Sequence, residues 1–67
     1  MDDLQNRFSY HPPKPGQADR YQKIRAAALD FAQLICAETP KSREQALAIT
    51  HLEDTVMWTN AAIARNE

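Results

Sequence analysis

The chain has 67 residues, of which a quarter are charged, and a formal net charge of −1. A chain of this length has room for one domain at most. The balanced charge argues against binding of long DNA or RNA, where many phosphates must be neutralised together. A single cysteine, Cys36, excludes an internal disulfide, and no cysteine and histidine spacing indicates a zinc site. Because so small a domain is marginally stable without such a staple, we expect it to oligomerise.

No apolar run approaches the roughly 20 residues that span a bilayer, and the acidic start of the chain is unlike a signal peptide. We therefore expect a cytosolic protein with no membrane contact.

The N-terminal part of the chain predicts a short helix followed by a stiff arm. Residues 1–8 favour a helix capped by Asp2 or Asp3. Residues 9–16 hold three of the four prolines and the only glycine. Each proline fixes its own φ and favours extended geometry in the residue before it. This segment is expected to present Tyr10 and His11 at defined positions.

The first long helix is predicted from Gln17 to Glu38, where apolar residues recur at helical spacing. The short link at 39–41 contains a proline that ends the helix, so the next helix should return antiparallel. The predicted stripe contains Tyr21, Ile24, Ala28, Phe31 and Ile35, widened by Ala27, Ala32 and Leu34.

The second long helix is predicted from Ser42 to Arg65. Ser42 and Gln45 form a capping-box pattern, in which the hydroxyl accepts from the Gln45 N–H and the side-chain amide reaches back. Two apolar stripes follow on this helix. They predict that one face of the helix packs against the same chain and the other against a second subunit or a ligand. The first stripe is Ile49, Leu52, Val56, Thr59 and Ile63, and the opposite one is Leu47, Trp58 and Ala61.

These patterns predict an all-α fold: an antiparallel two-helix hairpin with a short N-terminal helix and arm, assembling into a homo-oligomeric helical bundle. Residues 1–16 would form the short helix and proline-rich arm, and residues 17–67 the hairpin, within a single domain.

No pattern of catalytic residues is visible in the sequence. His11 and His51 are about forty residues apart, and Cys36 has no histidine within a helical turn. A small, semi-buried structural thiol is the better interpretation of Cys36, and His51 is interpreted as a surface or interface histidine. We predict no enzyme activity, no metal and no cofactor.

Three side chains, Tyr10, Lys23 and Arg65, each have a structural and a functional interpretation. Tyr10 is either a hydrophobic latch over the helices or a stacking surface for a nucleobase. Lys23 either pairs with Asp19 or binds a phosphate. Trp58 reads as an interface anchor. Arg65 either complements the helix dipole or meets a phosphate or base edge.

Four segments, read in order, resemble a known family: 8–13 (FSYHPP), 20–25 (RYQKIR), 42–50 (SREQALAIT) and 57–66 (MWTNAAIARN). They are similar to the phage anti-CBASS type II proteins and to the hairpin domain shared with some anti-Thoeris proteins. The similarity runs from Phe8 to Asn66, and the C-terminal Ala-Arg-Asn is its most specific part.

The resemblance implies a homohexameric sponge that holds cyclic oligonucleotide second messengers without cutting them. In such a family, cyclic dinucleotides lie between paired subunits, where the matching positions here are Tyr10, Pro12 and Lys23. Cyclic trinucleotides lie where three subunits meet, and His11 and Arg65 match that site. A two-fold subunit pair offers each group twice, which suits the approximate symmetry of a cyclic dinucleotide.

We therefore predict a phage anti-defence protein of the infected bacterial host's cytoplasm. Its partners would be its own copies and messengers such as cyclic GMP-AMP and cyclic tri-adenylate, not DNA or RNA polymers. Two alternatives stay open. One is a sponge for a cyclic ADP-ribose-type Thoeris signal, and the other is a helical interaction module that blocks a host protein with its Leu47/Trp58 face.

Overall fold

A computed structural model of the chain describes residues 3–67, which form three helices: α1 (Asp3–Arg7), α2 (Gln17–Glu38) and α3 (Arg43–Asn66). This described part contains no β-strand. α2 and α3 pack against each other, and the end of α3 returns beside the start of α2, as in an antiparallel hairpin. The predicted all-α hairpin is confirmed.

Helix α1 is shorter than the sequence predicted. It ends at Arg7, which forms an ion pair of 3.5 Å with Asp3 across one turn. Phe8 follows the helix and is largely exposed, as is Leu4, so the two do not pack as a buried pair. The proposed cap at Asp2 lies outside the described residues. Five helical residues are too few for an independently stable helix, so α1 depends on its contacts with the hairpin.

The two long helices begin and end close to where the sequence predicts. α2 has the predicted bounds, and α3 begins after Ser42, whose Oγ accepts from the Gln45 N–H at 3.1 Å. The second half of the capping box is not formed. The Gln45 side-chain amide instead donates to the carbonyl O and the hydroxyl of Thr39, both at 3.1 Å, and so ties α3 to the end of α2.

The contact surface between α2 and α3, called the seam below, uses the predicted face of α3. Four residues of its first stripe are half-buried, and the fifth, Ile63, at 7% exposure, is the one buried apolar residue among residues 3–67. On α2 the seam is narrower than predicted. Phe31 and Leu34 share the helical spacing but are more than half exposed, and Ala27 is exposed as well. The one facing helix covers only the narrower set Tyr21, Ile24, Ala28, Ala32 and Ile35. Cys36, expected to be semi-buried, is also exposed.

The hairpin is a single layer of helices. Its extents are 46 × 25 × 12 Å, and the smallest is about the diameter of one helix with its side chains. A single layer cannot enclose a core, which accounts for the exposed apolar side chains on both faces. On the second face of α3, Trp58 is 62% exposed and Leu47 is 42% exposed, while Ala61 is half-buried.

Residues 3–67 contain neither a membrane-spanning helix nor a metal-binding cluster. None of the described helices is long and apolar enough to cross a membrane. The same residues contain no group of three or more histidine, cysteine or acidic side chains arranged to hold a metal ion.

Candidate functional site

A cleft lies at the open end of the hairpin, between the arm and the last turn of α3. Its volume is about 490 Å³. The arm contributes His11, Lys14 and three prolines, and α3 contributes Ala64 and Arg65. Asn6 of α1 and Glu67 complete the lining. Proline rings fix the course of one wall, and the helix end fixes the other.

A chain of hydrogen bonds holds the arm against α3. The Asn6 side-chain amide donates to the backbone carbonyl O of Arg65 at 3.3 Å. Nε2 of His11 then donates to the backbone carbonyl O of Asn6 at 2.8 Å. Because this bond uses the Nε2–H, Nδ1 of a neutral His11 ring is an acceptor. The bonds fix the separation between the His11 ring and the Arg65 backbone.

The corner between the arm and α2 depends on Gly16 and Gln17. Gly16 has φ +84°, a left-handed conformation that glycine adopts without the usual steric cost. Gln17 is only 4% exposed, and its Oε1 accepts from the Lys14 N–H at 2.9 Å. A buried polar side chain with this bond fixes the direction in which the arm leaves the helix. The corner therefore positions Lys14 at the cleft.

Opposite charges close the same end of the molecule. Nη1 of Arg20 lies 2.6 Å from Oε1 of Glu67, and the Lys14 ammonium donates to the backbone carbonyl O of Glu67. Hydrogen bonding from Arg20 lowers the pKa of Glu67, with further contributions from Gln17 and from the charges of Arg20 and Lys14. The same bond raises the pKa of Arg20. Both groups are therefore charged at neutral pH.

The cleft brings together some of the residues singled out from the sequence. His11, Pro12 and Arg65 all line it. Arg65 is half-buried, and its guanidinium makes no ion pair or hydrogen bond with any other residue from 3 to 67. It is the cation of this cleft that is left available for an added anion.

Tyr10 and Lys23 do not line this cleft. Tyr10 is 84% exposed and therefore does not act as a latch over the helices of its own chain. Lys23 is exposed on α2 and forms no ion pair with Asp19 or with any other described residue. Within the single chain, the structure therefore excludes the latch interpretation of Tyr10 and the Asp19 pairing of Lys23.

The sequence reasoning missed four residues of the cleft region: Asn6, Lys14, Arg20 and Glu67. An antiparallel hairpin places the end of α3 beside the start of α2, so Arg20 and Glu67 could have been paired from their positions alone. Asn6 gives no such signal, because its contact depends on how the arm folds back.

A second concave surface lies along the seam, with a volume of about 510 Å³. It is mainly aliphatic, with Leu29 and Met57 at exposed positions and Arg25, Glu53 and Asn60 as its polar members. Oδ1 of Asn60 is shielded from solvent and accepts no hydrogen bond from residues 3–67. This groove has the composition of a helix-packing surface rather than of a polar ligand site.

Comparison with known proteins identifies the family. The family model described as "Acb2/Tad1, hairpin domain" matches residues 1–64, nearly the whole chain. No curated protein and no solved structure matches. The family is that of the anti-CBASS and anti-Thoeris sponges, and it implies a phage anti-defence protein that binds cyclic nucleotide signals. The chain belongs to the Acb2/Tad1 hairpin-domain family.

Proposed function

We propose that this protein binds cyclic di- and trinucleotide second messengers of the CBASS type and sequesters them without cleavage. It acts in the cytoplasm of the infected bacterial host, where removal of the free signal leaves the defence effector inactive. Binding alone is sufficient for this activity, so no catalytic group is required.

The observation that carries the proposal is the cleft that contains His11 and Arg65. Its available guanidinium is suited to a phosphate or a base edge, because guanidinium can form two parallel charge-assisted hydrogen bonds with such groups. His11 adds a ring nitrogen at a fixed position beside it. We assign this cleft to one sector of a cyclic trinucleotide, with three subunits contributing three copies of Arg65.

A separate site is proposed for cyclic dinucleotides, formed by Tyr10, Pro12 and Lys23 of paired subunits. The exposed Tyr10 ring supports this assignment, because an aromatic face in solvent is able to cover a nucleobase. Lys23 is exposed and has no ion-pair partner among residues 3–67, so its ammonium remains available for a phosphate. Pro12 stiffens the arm two residues after Tyr10.

We further propose that the subunits assemble as a homohexamer. A layer 12 Å thick with large exposed apolar side chains on both faces is poorly stable alone, and copies of the same chain cover both faces at once. The seam groove supports the same assignment. A facing subunit would supply the donor that the shielded Asn60 Oδ1 lacks within residues 3–67.

The test is native mass spectrometry of the protein with a panel of cyclic oligonucleotides. The panel contains cyclic GMP-AMP, cyclic tri-adenylate, a cyclic ADP-ribose isomer and the corresponding linear nucleotides. We expect a hexamer that retains the cyclic di- and trinucleotides with unchanged ligand mass. Retention of only the cyclic ADP-ribose isomer would replace this proposal with the Thoeris-signal alternative.

The exposed Leu47 and Trp58 side chains favour one second candidate, a helical module that blocks a host protein. This candidate needs the Leu47/Trp58 face to be free in the assembled protein. Measuring the solvent accessibility of Trp58 by fluorescence quenching distinguishes the two, since a buried indole leaves no such face.

A further inference from the structure

Lys14, Arg20 and Glu67 form an ionic cluster at the rim of the cleft. The Arg20 guanidinium contacts the Glu67 carboxylate at 2.6 Å, and the Lys14 ammonium contacts the backbone carbonyl of the same residue. Arg20 belongs to the first turn of α2, Lys14 to the arm, and Glu67 follows α3. Two cations from different segments therefore converge on one acidic residue.

The cluster is continuous with the site that binds ligand in the proposed function. Lys14 and Glu67 line the same cleft as His11 and Arg65. Glu67 is the one carboxylate among the described lining residues, whereas Lys14 and Arg65 are both cationic. Together with Arg20, the region carries three cationic side chains against one acidic side chain, in a chain whose formal net charge is −1.

The carboxylate is held in a way that permits exchange. The side chains of Arg20 and Glu67 are 51% and 42% exposed, and ion pairs at such exposure are weak and sensitive to salt. A phosphodiester offers two oxygens to a guanidinium much as a carboxylate does. Exchange of one for the other would keep Arg20 paired while the Glu67 side chain turns toward solvent.

From this arrangement, and resting on the proposed function, we propose that Lys14 and Arg20 form an anion subsite for a phosphate of the bound cyclic oligonucleotide. Glu67 acts as an internal anion that the phosphate must displace. Such a competitor lowers the affinity for any ligand that enters the Lys14/Arg20 subsite, and it excludes uncharged ligands from the subsite most strongly, because they cannot replace its charge. Glu67 is therefore a specificity-determining residue for anionic ligands.

The first test compares Glu67→Gln with wild type by titration calorimetry at low salt, using inorganic pyrophosphate and cyclic tri-adenylate as separate probes. Loss of the competing charge is expected to tighten pyrophosphate binding by roughly three- to tenfold. Glu38→Gln is the matched control, because it makes the same change in net charge at the other end of the hairpin. Adding Lys14→Gln or Arg20→Gln to Glu67→Gln should abolish the gain.

The two probes separate failure of this inference from failure of the proposed function. If Glu67→Gln binds pyrophosphate more tightly than wild type but neither protein binds cyclic tri-adenylate, the anion subsite is supported and the trinucleotide assignment is overturned. Unchanged or weaker pyrophosphate binding by Glu67→Gln, with helix content and assembly intact, overturns the subsite. Equal gains in Glu67→Gln and Glu38→Gln would overturn it as well, because they would reflect net charge alone.

A second measurement uses the wild-type protein and does not depend on how the variant folds. The titration of the Glu67 side-chain carboxyl is followed by carbon NMR, with and without saturating pyrophosphate. Displacement from Arg20 should return the pKa of Glu67 to the usual glutamate range. An unchanged pKa of Glu67 in the presence of bound pyrophosphate would show that the anion lies elsewhere and would overturn the proposal.

Discussion

Asn6 and Arg65 lie 59 positions apart in the chain, and the side-chain amide of Asn6 donates to the backbone carbonyl O of Arg65 at 3.3 Å. This contact joins α1 to the last turn of α3. His11 bonds to the carbonyl of the same Asn6, so two hydrogen bonds connect the arm to the end of α3. The cleft is therefore formed within a single subunit, before any partner is added.

Replacing Tyr10 with alanine tests the dinucleotide site. Two rings would be lost from a symmetric pocket, and stacking is worth about 1–3 kcal/mol per base, so we expect a loss of about 2–6 kcal/mol in binding free energy. Calorimetry with cyclic GMP-AMP measures it. Phe8→Ala is the matched control, since Phe8 is an aromatic residue of equal exposure two positions earlier. Equal losses in the two variants would contradict a specific role for Tyr10.

Replacing Arg65 with alanine tests the cleft. Loss of a charge-assisted hydrogen bond from each of three subunits should weaken cyclic tri-adenylate binding by about tenfold or more. Cyclic GMP-AMP binding should change little. Arg43→Ala removes the same charge from the far end of α3 and serves as the control. If Arg65→Ala loses both ligands while the oligomer is intact, the two sites are not separate.

Replacing Trp58 with alanine tests the outward face of α3. If the indole, 62% exposed in one chain, is an anchor between subunits, its removal should destabilise assembly by about 2–4 kcal/mol per subunit. Sedimentation at several protein concentrations measures the shift toward smaller species. Thr55→Ala is the control, because its hydroxyl bonds only to the carbonyl of His51 one turn earlier. Assembly of unchanged strength in Trp58→Ala would place the subunit contact on another face.

Replacing Gly16 with alanine tests the corner that directs the arm. Beyond its two chain neighbours, a Cβ on Gly16 would meet no heavy atom of residues 3–67 within 4 Å. The cost is therefore that of the left-handed backbone alone, about 1–2 kcal/mol. Thermal unfolding measures the loss of stability. Gly16→Asn should cost less, because asparagine adopts this conformation more readily than alanine. Equal stability of all three proteins would show that the corner does not require positive φ.

The Glu67 carboxylate makes stability depend on acid pH. Its pKa is lowered in the folded protein, chiefly by the hydrogen bond from Arg20. Its stabilising contribution is therefore complete above the usual glutamate pKa of about 4.5 and is lost as pH falls through the lower folded value. Glu67→Gln should melt below wild type at pH 7, and this difference in Tm should shrink as the pH falls progressively below 4.5. A difference in Tm that does not change with pH would contradict this linkage.

The long helices could be predicted from sequence because their signals are local. Ser42 caps α3 as the spacing indicates, and Ile63 lies on the predicted face. The exposure of Phe31 could not be predicted, because helical spacing alone does not show how narrow a stripe of α2 one facing helix covers. Within the site, His11 and Arg65 were identified through the resemblance and share a cleft. Their link through Asn6 is a non-local contact that no sequence period encodes.

Recovery of the bound ligand tests whether the protein binds the messenger without cleaving it. Purified protein is saturated with cyclic GMP-AMP or cyclic tri-adenylate, separated from free ligand, and heated until it unfolds. We expect release of the cyclic ligand in stoichiometric amount, with its original chromatographic retention and mass. Progressive appearance of a linear nucleotide, or failure of the protein to retain either ligand through the separation, would contradict the account.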